Sequence, residues 1–282
     1  IYGARGANGV IVITTKTGKP GRLVVGYNGF VGVKELAKRL NVFDPYDYVV
    51  YQWERSRSSS TDSASFARSF GTTWDTLANY KNVPAVDWQG ETFGRTGIST
   101  THNLTASGGT KQLTYNFGYT YNNDKAIVIN SNYKRHLFNA KGEYKINKQI
   151  KIGAGARYTR TDVQGAGVSD TKGTSYNRLR NAVKYRPFLS SNQEIDDQDP
   201  LADQNVGNGL NLYNPITLAN AEYRKKSTDA LNANMTLTVN ITKNLVFKST
   251  AGYDYNHFTD LQFNDSITPY SITQGSRKPI AG

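Results

Sequence analysis

Gly18-Lys19 is the pair with which a nucleotide-binding loop holds phosphates, and it falls at the end of a glycine-punctuated opening, IYGARGANGVIVITTKTGKPG over residues 1–21. A phosphate loop needs G-x-x-x-x-G-K-[ST] between a strand and a helix, so that backbone amides cradle the phosphates and a hydroxyl meets the magnesium. Here Ile13 stands where the first glycine belongs and Pro20 where the hydroxyl belongs. Proline also removes a backbone donor. Gly3, Gly6 and Gly9 are each separated by two residues and precede the apolar run Val10–Thr15. The dinucleotide fingerprint needs G-x-G-x-x-G after a strand. These glycines read instead as small-residue turns leading into a buried strand.

Other reactive groups are no better arranged. His102, His136 and His257 lie far apart with no H-E-x-x-H, so each is expected at a strand end or on an inward face rather than on a metal. There is no G-x-S-x-G elbow to expose a serine nucleophile. Asp196, Asp197, Asp199 and Asp203 offer oxygen ligands for Ca²⁺, but they lack the EF-hand spacing and glycine, and Pro200 interrupts them. A solvated acidic loop is the simpler reading. The absence of Cys excludes disulfides and thiolate metal sites and suits an oxidising compartment. The pattern gives no support to an enzyme, a metal or a cofactor. A net charge of +12 suits a polyanion, yet Lys and Arg are spread at strand spacing with no dense basic block, which argues against nucleic acid. The residues best suited to ligand contact are aromatic: Trp53, Trp74 and Trp88, with Phe66, Phe70 and Phe93 around them. Aromatic faces in a wet vestibule stack on sugar rings or grip apolar ligand parts. The competing role is packing, in a core of the loop's own or an interfacial girdle.

The elements that must position these residues are strands. Alternation of period two runs through Leu113–Tyr121, Phe138–Ile146, Ile150–Tyr158, Leu231–Ile241 and Leu245–Tyr255, and less cleanly through Leu23–Val31. Each run lasts about ten residues, the length a tilted strand needs to cross a bilayer. The intervening Lys141, Glu143, Lys145, Lys151, Arg157 and Asp254 would share one side, as in a barrel with a polar interior. No apolar stretch approaches the ~18 residues of a membrane helix, and mean hydropathy is −0.58. Neither observation bears against a barrel, whose alternating strands average out. Tight turns fall at 108–111, 147–149 and 242–244, and long connections at 34–96, 122–132 and 162–227. Short turns at one end and long loops at the other is how outer-membrane barrels are organised. Asp44-Pro45 predicts a capped helix over Tyr46–Arg55, and 175–185 reads as helical up to Arg186-Pro187. Ser56–Ser65 reads as a mobile serine-rich stretch, and Glu194–Asn211 as a polar surface loop. The fold class is all-β: about seven long strands of a larger antiparallel transmembrane barrel, with short helices in the outer loops.

IYGARGANGVIVITTK resembles the end of the plug domain in SusC/RagA-like TonB-dependent transporters of the Gram-negative outer membrane. Several later segments are similar to that family's barrel: Val86-Asp87-Trp88-Gln89, His102-Asn103-Leu104 with Ser107-Gly108-Gly109-Thr110, Tyr115-Asn116-Phe117, Tyr133-Lys134-Arg135, Asn147-Lys148 and Ile152-Gly153. The resemblance implies that 1–20 end a plug, preceded by a missing TonB box, and that 21–282 are the first part of an incomplete barrel. It implies a hinge at Gly18, Lys19, Pro20 and Gly21, a first strand at Leu23–Val33, and Arg5 as a candidate plug-to-barrel contact. It also implies import of oligosaccharides or peptides, driven by the TonB complex and assisted by a SusD-like lipoprotein lid, from within outer-membrane lipid. A fragment of this kind is not expected to transport alone, since open strand edges are unsatisfied in lipid. The rival readings are a passive porin, which has no reason to place a glycine-punctuated strand before its first strand, and a secreted β-rich polysaccharide-binding protein, whose strands would be shorter.

Overall fold

The computed structural model describes Gly9, residues 18–70, 77–165, 178–189 and 214–266, with 268, 271 and 280–281. Arg5, the expected plug strand Val10–Thr15, Trp74 and the stretch Glu194–Asn211 with its aspartates lie outside the described residues.

Seven long strands form one antiparallel sheet in sequence order: β1 (Gly21–Lys34), β2 (Gly97–Gly109), β3 (Leu113–Lys125), β4 (Asn132–Lys145), β5 (Ile150–Gln164), β6 (Glu222–Asn240) and β7 (Val246–Asn264). A two-residue β8 (Ile280–Ala281) pairs with the end of β7. Among the described residues no helix is long and apolar enough to cross a membrane. The connections β2–β3, β4–β5 and β6–β7 are tight. Gly109 shows why glycine is needed there: its φ is +152°, and a side chain would run into the Leu113 carbonyl.

The opposite end carries the long connections, with two corrections to the sequence reading. The supposed loop 122–132 shrinks to 126–131, because Asn122, Asn123 and Asp124 remain paired in β3. Two of these polar side chains have strand partners: Asn122 donates to Thr101 at 2.8 Å, and Asp124 forms an ion pair with Lys34. Nor is the serine-rich stretch devoid of structure. Helix α2 (Ser60–Phe70) begins inside it, with the Ser59 hydroxyl accepting from the Asp62 amide at 3.1 Å as a local cap. Helix α1 (Pro45–Ser56) begins as Asp44-Pro45 predicts, Asp44 accepting from the Asp47 amide at 2.8 Å. A 3₁₀ turn (Ala78–Asn82) and α3 (Trp88–Phe93) complete the first loop. Helices α4 (Arg178–Lys184) and α5 (Pro215–Ala221) lie in the loop between β5 and β6.

Candidate functional site

Register assigns every strand residue to a face, because directly paired residues point the same way. The pairs Lys141↔Gly155, Glu143↔Gly153, Lys145↔Lys151, Arg157↔Asn232 and Asn232↔Asp254 put the six expected polar residues on one side. That inward face is rich in amides and hydroxyls, as in the row Gly26, Thr105, Gly118, Asn139, Arg157, Asn232, Asp254. Its charges find neighbours: Lys151 donates to Glu143 at 3.1 Å, Arg135 to Asn122 at 3.1 Å, and Asn232 to Asp254. Such a wall offers donors and acceptors to a hydrated solute.

The outward face is apolar, but its apolar band does not run straight across. One row links Tyr27, Leu104, Tyr119, Phe138, Tyr158, Leu231 and Tyr255. On β1 the apolar residues extend from Val25 through that row to Val33, towards the loops. On β7 the run from Phe247 to Tyr255 stops at His257 and Thr259, and only Leu261 and Phe263, next to the loop, are apolar again. The band therefore slides towards the short turns from β1 to β7. This is the offset expected when strands tilt by about 35–45° and the band stays parallel to a membrane. From that row, tyrosine hydroxyls pair with a polar group one row higher on the next strand. Tyr27 meets His102 Nδ1 at 2.8 Å, Tyr119 meets His136 Nδ1 at 2.9 Å, and Tyr158 donates to Asp229. Aromatic rings with one wet end suit the girdle at a membrane interface.

At the loop end of the sheet the loops share two small cores. Tyr48, Val49, Phe66, Phe70 and Leu77 from the first loop enclose Phe188 from the β5–β6 loop. Trp88 and Phe93 pack with Ala182 and Tyr185, joined by Val128 and Ile216. Hydrogen bonds fasten the loops together: Val86 N–H to Pro187 O at 2.8 Å, Ile129 N–H to Thr92 O at 2.9 Å, and Arg95 to three carbonyls of the β3–β4 connection, those of Ala126, Val128 and Ser131. A cavity of about 440 Å³ opens between the two long loops, lined by Phe43, Tyr48, Tyr51, Arg55, Lys184 and Tyr185 among others.

Of the predicted contact residues, Trp53 and Trp88 lie in this module, in different roles. Trp88 is 5% exposed, meets Tyr185 edge-on and donates its indole N–H to Arg186 O at 2.7 Å. Trp53 is half-buried against Phe66. Both therefore take part in the packing that was the competing role for these aromatics. The residues that sequence reasoning missed are Tyr185, Arg186 and Phe188; their only signal was a short aromatic island in a polar loop. In the segment 18–21, Gly18 approaches β3 so closely that a side chain would strike the Tyr115 main chain. Gly21 sits at φ +150°, pairs with Gly109 and precedes a register shift.

No family model matches the chain. It is 36% identical to the TonB-dependent receptor SusC of Bacteroides thetaiotaomicron over 137 residues, 48% of this chain and 12% of SusC. A TonB-dependent receptor of Formosa agariphila is 28% identical over 258 residues, 90% of this chain and 23% of that protein. The chain thus spans less than a quarter of either relative. Among solved structures, the RagAB peptide importer in its closed-closed state superposes on 96% of the chain with a TM-score of 0.69 at 18% identity, and the chain covers 32% of it. The RagAB peptide transporter gives 0.68 at 19% over 95% of the chain, again covering 32% of that structure. The chain is thus similar in sequence to TonB-dependent receptors, SusC among them, and shares its fold with the matching third of RagAB.

Proposed function

We propose that this chain forms the passage from plug to barrel, and the adjoining wall, of an outer-membrane importer of oligosaccharides or peptides. Residues 1–20 end the plug and 21–282 open the barrel, with Gly18–Gly21 as the hinge. The observation that carries this reading is the two-faced sheet, with an outward apolar band offset by strand tilt and an inward face of amides and hydroxyls. Such an inner face suits cargo dense in hydrogen-bonding groups, and both sugars and peptides are of that kind. The relatives' names support TonB as the energy source, and a solved neighbour named as a peptide importer supports peptide cargo. The loop module stands at the end where a SusD-like lipoprotein lid would close. Arg5 is the proposed plug contact with the wall. Trp53, Trp74 and Trp88 remain the proposed aromatic contacts, Trp88 acting through the loop core it holds.

Fractionation tests the membrane part. The protein should sediment with outer membranes and need detergent for release, and recovery as a soluble monomer would overturn the reading. Uptake tests the rest: disrupting the gene should abolish uptake of one labelled oligosaccharide or peptide class while leaving its monomers usable. Unchanged uptake across both classes would remove the importer.

A further inference from the structure

The outward face carries a groove as well as a band. Alanines line its floor where neighbouring positions are aromatic: Ala106, Ala140 and Ala156 lie in one row, overlooked by Phe117, Phe138 and Tyr158. The hollow has a volume of about 540 Å³ and an almost wholly apolar lining. Directly above it, on the loop side, stand Arg160 and Lys134, each two or four residues along its strand from the aromatic walls. At about 3.3 Å per residue, those cations lie roughly 13–20 Å above the alanine floor. In the other direction, the strand residues of the same face carry no charge: Leu113, Tyr144, Ile152, Leu237 and Val239 continue to the short turns.

The carboxylates near these cations are already engaged. Asp162 accepts from Ser227 at 2.6 Å and Asp229 accepts from Tyr158. Arg160 stands 3.6 Å and 3.8 Å from those two acids, beyond good hydrogen-bond range, with about half its side chain exposed. Lys134 is exposed, and Lys225 adds a third cation on the same edge. An apolar slot below cations that exceed their acids matches one kind of occupant. We propose that the groove seats an acyl chain of a phosphate-bearing lipid of the leaflet on the loop side, with the phosphate held by Arg160 and Lys134. The proposal rests on the membrane reading given above. The alanines let the chain lie close to the strands, the aromatic rings flank it, and Tyr158, the last apolar residue before Arg160 on β5, marks the depth at which the headgroup begins.

The test compares phosphatidic acid with diacylglycerol, which share acyl chains and differ in the phosphate. Each is added to detergent-purified protein, and retained lipid is counted by native mass spectrometry. Phosphatidic acid should be retained more tightly, by about fivefold for each cation engaged. R160Q with K134Q should abolish that preference while leaving the groove intact. A140L with A156L should reduce retention of both lipids, provided heat-modifiable migration on gels shows the wall still folded. Equal retention of the two lipids, or retention unchanged in both variants, would overturn the proposal. So would loss of a dimer mass, without loss of lipid, in the A140L/A156L protein, because the groove would then belong to a second copy. Release from membranes without detergent would instead overturn the membrane reading itself.

Discussion

Phe66 and Phe138 show how differently two parts of this molecule use the same side chain. Phe66, on α2, is 0% exposed, whereas Phe138, on β4, is 48% exposed. The contrast holds across the chain: every buried hydrophobic side chain among the described residues lies in the loops and their helices. The sheet has its large apolar groups on an open face, held by backbone pairing. The loop module is therefore built like a small water-soluble core, and the sheet like a surface whose apolar solvent is lipid. The largest effects of mutation should come from breaking those rules.

Truncating Phe66 tests the loop rule. Phe66→Ala removes a ring that touches Trp53 and Phe70 at centroid distances of 5.4 Å and 5.2 Å. A loss of about 3–5 kcal/mol is expected for such a cavity. It should appear as an earlier denaturation midpoint by tryptophan fluorescence, while circular dichroism keeps its strand signal. If strand signal and fluorescence were lost together, the two regions would form one cooperative unit.

Next in size is a charge placed on the band. Leu231→Arg sits between Tyr158 and Tyr255 on the outward face and should cost about 2–4 kcal/mol of folding in lipid. Its neighbour Asn232 faces inward beside Arg157 and Asp254. Asn232→Arg should stay within about 0.5 kcal/mol. Refolding into vesicles under a urea titration reads both, and equal costs would mean that the faces are misassigned.

These two regions also differ in how readily the sequence disclosed them. Alternation is a local property, so β3 to β7 were visible from residues two apart, and pairing merely extended them. Asp44-Pro45 was equally local and marked α1. The loop cores were hidden because their contacts are distant: Trp88 is satisfied by Arg186, 98 residues away. Ser60–Phe70 read as loose by composition, since the spacing of Phe66 and Phe70 acquires meaning only when Phe188 arrives from another loop. Asn122 and Asp124 read as loop residues for the same reason, their strand partners being Thr101, Arg135 and Lys34.

A smaller effect is expected at a cap that joins the two regions. Asn214 is 1% exposed and accepts from the Ile216 and Thr217 amides at 3.0 Å and 3.2 Å, starting the helix that runs directly into β6. Asn214→Ala leaves both donors without that acceptor and should cost about 1–2 kcal/mol. Hydrogen exchange would then quicken in α5 and leave the β6–β7 ladder unchanged.

The smallest effect should come from Tyr80, and it separates the regions by pH alone. Burial pushes its phenol above the ordinary value of 10.0, and the Arg186 cation pulls part of that shift back. With its folded-state value raised, the folded loop holds the proton more tightly than the unfolded chain. The resulting stability is fully present below pH 10.0 and is lost as pH rises through the folded value. The fluorescence midpoint should therefore fall as pH rises above 10.0, and the fall should be shallower in Tyr80→Phe, which has no proton to lose. Strand signal in lipid should show no share of that difference, because Tyr80 packs with Phe70 and Phe188 in the loop core and not with the wall. An identical pH response in wild type and variant would mean that the phenol is as well hydrated in the folded loop as in the unfolded chain.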